Sequence, residues 1–167
     1  MIIGIMGAMP AEVDQLCARL ADVTREEYAG VVYHQGRLAD KKVVVCCAGM
    51  GKANAASTTQ VLITRYGAEK ILFSGVAGNM TSRIGIGDVC VGQLVVYHDA
   101  DADCIVQSAP FLEEFPGDPA LVRELAEIAG GALATMTVAP EAAGADEVID
   151  ALTAADRAAQ LEKASEA

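Results

Sequence analysis

Three glycine-bearing segments could do chemistry in this chain, because each comes directly after an apolar, β-branched run. They are residues 4–12 (GIMGAMPAE), 48–54 (AGMGKAN) and 74–79 (SGVAGN). Glycines just past a strand let the backbone approach a small ligand closely. Three such turns predict one ligand pocket along the carboxyl edge of a sheet. Glu12 ends the first segment, one turn into a predicted helix and close to that edge.

Strands that alternate with helices must position these segments. Apolar, β-branched runs predict strands at residues 2–6, 31–35, 42–47, 70–74 and 88–97. Helical spacing, Pro at the first turn and Gly at the end predict helices from Pro10, over 52–66, and from the Asp118 cap to residues 130–131. The third of these helices carries an apolar stripe of Leu121, Val122, Leu125 and Ile128. This alternation predicts an α/β fold.

The composition limits the possible partners. The chain has 167 residues, which fits one domain, and 53% of them are apolar, so a core is expected. Aromatic residues make up only 4% and Trp is absent, so this core is predicted to be aliphatic. The net charge is −11, with 12 Lys plus Arg against 23 Asp plus Glu. A nucleic-acid binder needs a cationic surface, so we expect no nucleic-acid partner and no anionic membrane.

The five cysteines indicate reduced, mostly buried thiols. Their number is odd and no C-x-x-C motif occurs; the residues are Cys17, Cys46, Cys47, Cys90 and Cys104. With only two histidines, far apart in sequence, no metal site is predicted. The first residues lack a basic n-region, and no apolar run approaches the ~20 residues that span a membrane, so we expect the cytoplasm.

Read together, several segments resemble the nucleoside phosphorylase superfamily, and within it the 5′-methylthioadenosine/S-adenosylhomocysteine nucleosidases. The matching segments are residues 3–9 (IGIMGAM) with Glu12, 49–52 (GMGK), 74–78 (SGVAG), 85–89 (GIGDV) and 97–101 (YHDAD). The resemblance is good over residues 1–101, looser over 102–130 and poor beyond. We therefore expect one nucleosidase-like domain over 1–167, with a family-like core at 1–131 and a divergent helical tail at 132–167.

The resemblance implies a three-layer α/β/α sandwich around a mixed sheet, usually in a homodimer. It implies hydrolysis of the N-glycosidic bond of methylthioadenosine or adenosylhomocysteine, which releases adenine and a thioribose. This reaction belongs to methionine salvage and needs no metal or organic cofactor. The only ligand expected is the small nucleoside substrate.

The resemblance also assigns roles to residues at the predicted pocket. Glu12 matches the glutamate that positions and activates the nucleophilic water, although a first-turn glutamate also suits the helix dipole. Met50 and Gly51 would lie near the ribose and the water. The stretch from Gly75 through Val76 and Ala77 to Gly78 would pass under the ribose and the base. The family usually has a serine at the position of Val76.

Two further motifs of the family have no counterpart in this sequence. One is a Val-Glu-Met-Glu segment that holds the ribose hydroxyls, and the other is a Ser-Asp pair that serves proton transfer to the purine. We therefore expect the sheet to lack its last strands. Two alternatives stay open: a non-catalytic or truncated nucleoside-binding relative, and a purine nucleoside phosphorylase. A dinucleotide-binding domain is disfavoured, because no segment reads G-x-G-x-x-G.

Overall fold

The computed structural model describes residues 1–78, 82 and 85–128. The chain divides into two compact units, Met1–Ala77 and Gly78–Ala167. The predicted helical tail at 132–167 and the predicted helix end at 130–131 lie outside the described residues. A single domain over 1–167 stays a prediction.

The first unit is built on a five-stranded mixed sheet. Its elements in chain order are β1 (Ile2–Gly7), α1 (Pro10–Ala18), β2 (Ala21–Tyr28), β3 (Val31–Leu38), β4 (Lys41–Cys47), α2 (Lys52–Thr64) and β5 (Lys70–Phe73). The strand order is β2-β3-β4-β1-β5. Strand β1 lies parallel to both β4 and β5, whereas β3 is antiparallel to β2 and β4. The predicted mixed α/β sheet is confirmed.

The sheet is covered on both faces, because its central strands are apolar on both sides. Along β4, Val43 and Val45 point towards α1 and pack with Val13 of that helix. Val44 and Cys46 point the other way and pack in a second cluster with Leu62 of α2. This arrangement confirms the three layers, helix, sheet and helix, in the first unit.

The register brings the ends of three strands to one edge. Gly7 at the end of β1 pairs with Cys47 at the end of β4, and Met6 pairs with Phe73 at the end of β5. All three strands run in the same direction, so the loops that follow them leave from the same side of the sheet. These loops are the three glycine-bearing segments, so their position along the carboxyl edge is as predicted, and the ligand pocket there stays a prediction.

Strand β2 was not predicted, because its sequence, ADVTREEY, is mostly polar and its residues are exposed or half-buried. Backbone pairing with β3 holds β2 in place, and the two residues that follow α2 contact its side chains. Glu26 forms an ion pair with Arg65, and its Oε2 accepts a 2.8 Å hydrogen bond from the hydroxyl of Tyr66. The guanidinium of Arg65 also lies 4.2 Å from the ring centroid of Tyr28.

The second unit has short elements in its described part. They are β6 (Leu94–Val95), α3 (Ala102–Ile105), β7 (Phe115–Pro116) and α4 (Pro119–Ile128). The predicted strand over 88–97 is therefore wrong except at β6. Pairing requires a partner strand, and β7 offers only two residues, of which Pro116 has no N–H to donate.

The fourth helix begins as predicted. One carboxylate oxygen of Asp118 accepts hydrogen bonds from the N–H groups of Ala120 and Leu121, both at 2.9 Å. The predicted apolar stripe is partly wrong, because Val122 is buried but Leu125 and Ile128 are exposed. Within the described ranges, no helix has the length and hydropathy that a membrane crossing requires.

Candidate active site

Glu12 is held at the start of α1 by its own loop. The helix begins at Pro10, so Met9 is the N-cap and Glu12 is the third helical residue. Its Oε2 accepts hydrogen bonds from the N–H of Ala8 at 2.7 Å and from the N–H of Met9 at 2.9 Å. A glutamate at this position commonly bonds back to the cap residue, so the loop sequence itself orients the side chain.

The other oxygen of Glu12 reaches a different strand. Its Oε1 accepts a 3.0 Å hydrogen bond from the backbone N–H of Val76, which lies 64 residues further along the chain. Val76 follows β5, and β5 is the direct neighbour of β1. The Glu12 carboxylate therefore joins the loop after β1 to the loop after β5 across the sheet edge.

These backbone contacts fix the charge of Glu12. The N–H groups of Val76 and Met9, and more weakly that of Ala8, lower the pKa of the carboxyl group, and partial burial opposes them. The side chain is therefore ionised at neutral pH. A carboxylate offers about four acceptor positions, and the described residues use three, which leaves one for a further donor such as a water molecule.

The carboxylate fits because residue 75 has no side chain. A Cβ at Gly75 would lie 2.8 Å from Oε1 of Glu12 and 3.0 Å from its Cδ. Gly7 is also tightly packed, since a Cβ there would lie 2.9 Å from Cγ1 of Val13 and 3.0 Å from the carbonyl oxygen of Ser74. The two glycines permit close approach of α1, β1 and the loop after β5.

The loop after β4 presents Met50 and Gly51 at the same edge. Gly49 and Gly51 adopt φ values of 83° and 101°, which side chains rarely allow. Asn54 of α2 holds the turn, because its Nδ2 donates a 2.8 Å hydrogen bond to the carbonyl oxygen of Met50. The side chain of Met50 is 74% exposed and is therefore free to contact a ligand.

The loop after β5 presents Val76 and Ala77. The N–H of Val76 is directed at Glu12, whereas its side chain is 78% exposed. Ala77 is exposed and ends the first unit, and Gly78 opens the second, with no heavy atom within 4 Å of a Cβ placed there. The structure thus brings Glu12 and Val76 into contact and places Met50 and Gly51 along the same edge.

Four contributors to this site were not predicted from the sequence. Three of them are the N–H groups of Ala8 and Met9 and the side-chain amide of Asn54. Their roles become apparent only from hydrogen bonds in the structure. The fourth is Cys47, whose Sγ lies 3.6 Å from the carbonyl oxygen of Ala8 as a weak donor. The three-residue spacing from Met9 to Glu12 was the available signal for the first two.

A cavity of about 530 Å³ lies elsewhere on the first unit. It is lined by α1, by the β2–β3 hairpin and by the end of β4, including Asp14, His34 and Cys47. Nδ1 of His34 is buried and has no hydrogen-bond partner among the residues that the structure describes, and burial lowers the pKa of that imidazole. Glu12 does not line this cavity, and the described residues contain no cluster suited to a metal ion.

Comparisons with known proteins identify relatives of this chain. The family model for the phosphorylase superfamily matches residues 2–150. The 5′-methylthioadenosine/S-adenosylhomocysteine nucleosidase of Staphylococcus saprophyticus is 36% identical over 132 residues, which make up 79% of this chain and 58% of that protein.

Solved structures of such nucleosidases are also similar. The enzyme from Colwellia psychrerythraea, in complex with adenine, superposes with a TM-score of 0.71 at 34% identity, over 76% of this chain and 54% of that one. The enzyme from S. pneumoniae, with the transition-state inhibitor MT-ImmA, gives a TM-score of 0.70 at 30% identity, over 76% and 57%. The chain spans a little over half the length of these relatives.

Proposed function

Because this chain belongs to the phosphorylase superfamily, we propose that it hydrolyses the N-glycosidic bond of 5′-methylthioadenosine or S-adenosylhomocysteine. The products are adenine and a thioribose. The observation that carries the proposal is the ionised Glu12 carboxylate, held by three N–H groups at the edge where the glycine-bearing loops meet. Similarity to nucleosidases that bind adenine and a transition-state inhibitor supports it.

In the proposed reaction, Glu12 receives a proton from the attacking water. Cleavage of a ribosyl–purine bond passes through an oxocarbenium-like state. The bonding pair of the glycosidic bond leaves with the purine, which takes a proton from solvent. The water oxygen bonds to C1′, and Glu12 afterwards returns its proton to solvent. A carboxylate within hydrogen-bond reach of that water orients it and accepts its proton. The single acceptor position left on Glu12 suits this task.

The two glycine loops are proposed to bind the nucleoside. Met50 and Gly51 would lie beside the ribose and the water. Val76, Ala77 and Gly78 would pass under the ribose and the base, with Val76 as an apolar wall. Exposure of the Met50 and Val76 side chains at the edge occupied by Glu12 supports these roles.

The reaction class is tested with methylthioadenosine as the substrate, in buffers with and without phosphate. Hydrolysis predicts free adenine and thioribose at equal rates in both buffers. A purine nucleoside phosphorylase would instead need phosphate and yield the thioribose 1-phosphate. A nucleoside-binding relative would bind methylthioadenosine in calorimetry without releasing adenine. Parallel assays with adenosylhomocysteine report which thio-nucleoside is preferred.

The proposal extends to the oligomeric state, the location and the cofactor requirement of the protein. We propose a homodimer in the cytoplasm that needs no metal or organic cofactor. Five free cysteine thiols suit a reducing compartment. Exposed apolar side chains of the second unit, such as Ile86, Phe111 and Ile128, are suited to a subunit contact. Light scattering coupled to gel filtration measures the mass, and adenine release after dialysis against a chelator tests the metal requirement.

A further inference from the structure

The space that Glu12 occupies depends on Gly75, in the loop after β5. A Cβ at Gly75 would meet the Glu12 carboxylate at 2.8 and 3.0 Å, and the ring of Phe73 at 3.2 Å. Contacts below 3.0 Å are not tolerated, so something must move when a side chain is added. The carboxylate lies at the end of a flexible side chain and would move first, away from the N–H of Val76.

The two carboxylate oxygens of Glu12 have different capacities. Oε2 accepts two hydrogen bonds, from Ala8 and Met9, and both of its acceptor positions are filled. Among the described residues, Oε1 accepts one hydrogen bond, from Val76, which leaves it one acceptor position. Of the two oxygens, Oε1 is therefore the one that can receive a water, and it is also the one nearest to Gly75.

We propose that Gly75 is a positioning residue, whose missing side chain lets Oε1 of Glu12 bond to the Val76 N–H with one acceptor position open to the nucleophilic water. The role of the water rests on the proposed function, whereas the placement of the carboxylate does not. Gly75 touches Glu12 and acts only through it.

Other glycines provide a contrast. A Cβ at Gly7 would meet backbone and the base of a side chain, namely the Ser74 carbonyl oxygen and Cβ of Glu12, so its effect would be on packing. A Cβ at Gly92 would meet no heavy atom within 4 Å. Gly92→Ala is therefore the matched control for the effect of adding one methyl group.

The first test measures the pKa of Glu12 without any substrate. Carbon-13 NMR of labelled glutamate carboxyls, assigned with Glu12→Gln, follows the titration in the wild type, Gly75→Ala and Gly92→Ala. Backbone N–H groups, rather than a charged side chain of the described residues, lower this pKa. Gly75→Ala is expected to raise it towards the ordinary glutamate range, and Gly92→Ala to leave it unchanged. An unchanged pKa in Gly75→Ala overturns the proposal.

The second test uses turnover. A small displacement of a catalytic group can cost about 100-fold in rate, so Gly75→Ala is expected to lower kcat by about that factor with little change in KM. In a Glu12→Gln background the same substitution should cost nothing more, because the group it displaces is already gone. An equal loss in both backgrounds contradicts a role through Glu12.

A third variant keeps the proposal testable if Gly75→Ala does not fold. Glu12→Ala removes the carboxylate, so the double variant Glu12→Ala/Gly75→Ala should fold as Glu12→Ala does. If Gly75→Ala is unfolded in both backgrounds, the Glu12 contact is not the cause and the proposal fails. If Gly75→Ala raises the pKa of Glu12 while the wild type releases no adenine, the positioning role stands and the proposed function fails.

Discussion

The Oε1 atom of Glu12 lies 3.0 Å from the backbone nitrogen of Val76, a residue 64 positions further along the chain. This hydrogen bond joins the first helix to the loop after the fifth strand. It exists because β1 and β5 are parallel neighbours whose ends meet at one edge. The bond places an ionised carboxylate between two loops at the edge where parallel sheets commonly bind ligands.

The lowered pKa of Glu12 links its contacts to stability. A carboxyl group with a depressed pKa in the folded state contributes stability above its unfolded pKa, and this contribution is lost as pH falls through the folded pKa. The difference in unfolding free energy between wild type and Glu12→Gln should therefore be constant at neutral pH and shrink only below the ordinary glutamate range. Urea unfolding across acidic pH measures it, with Glu27→Gln on exposed β2 as the control for lost charge. A difference that is independent of pH would contradict the assignment.

Asn54→Ala should loosen the loop that carries Met50. The substitution removes the 2.8 Å hydrogen bond from Nδ2 to the Met50 carbonyl oxygen. A neutral hydrogen bond contributes about 1 kcal/mol, so KM for methylthioadenosine should rise by about fivefold while kcat changes less. Ser57→Ala, on the same helix, is the control. A fall in kcat at constant KM would instead place Asn54 among the groups that act in the transition state.

The cysteines should react in the order of their exposure. Cys104 is exposed, whereas Cys46 is fully buried and burial raises the pKa of its thiol to about 12. A thiol reagent such as Ellman's reagent attacks the thiolate, so Cys46 should stay unreactive until the protein unfolds. Cys104→Ser should remove the fastest phase of the reaction. Fast modification of Cys46 in the native protein, located by mass spectrometry, would contradict the packing described for β4.

Leu62 is expected to carry much of the stability of the α2 layer. Its side chain is fully buried against the sheet, while the next residue, Ile63, is 47% exposed. Leu62→Ala should therefore lower the free energy of unfolding by about 2–5 kcal/mol, through lost contacts and a cavity. Ile63→Ala removes a similar group from the surface and should cost about 0.5 kcal/mol. Equal costs in denaturant unfolding would show that α2 packs through another face.

Much of the first unit follows from its sequence. Strands β1 and β4 are buried on both faces and therefore appear as continuous apolar runs. Strand β2 could not be recognised, since pairing with β3 rather than apolar patterning holds it in place. The opposite error arose at 88–97, where β-branched residues suggested a long strand, whereas β7 pairs with just two of these residues in the part of the chain that the structure describes.

The candidate site was predictable only in part. Glu12 and the glycine loops could be recognised from residue types and spacing. The contact with the N–H of Val76 depends on the order of the strands, which no local pattern encodes. The role of Gly75 was missed for the same reason, because the atom that fills its space comes from Glu12, on another element.

The most direct test compares adenine release from methylthioadenosine by the wild type and by Glu12→Gln, with affinity for the ligand measured beside it. Glutamine has a similar shape but cannot accept the proton. A general base typically contributes about 100- to 10,000-fold, so release by Glu12→Gln should fall within that range while binding persists. Equal rates of release by the two proteins would contradict the assignment of Glu12 as the base that activates water.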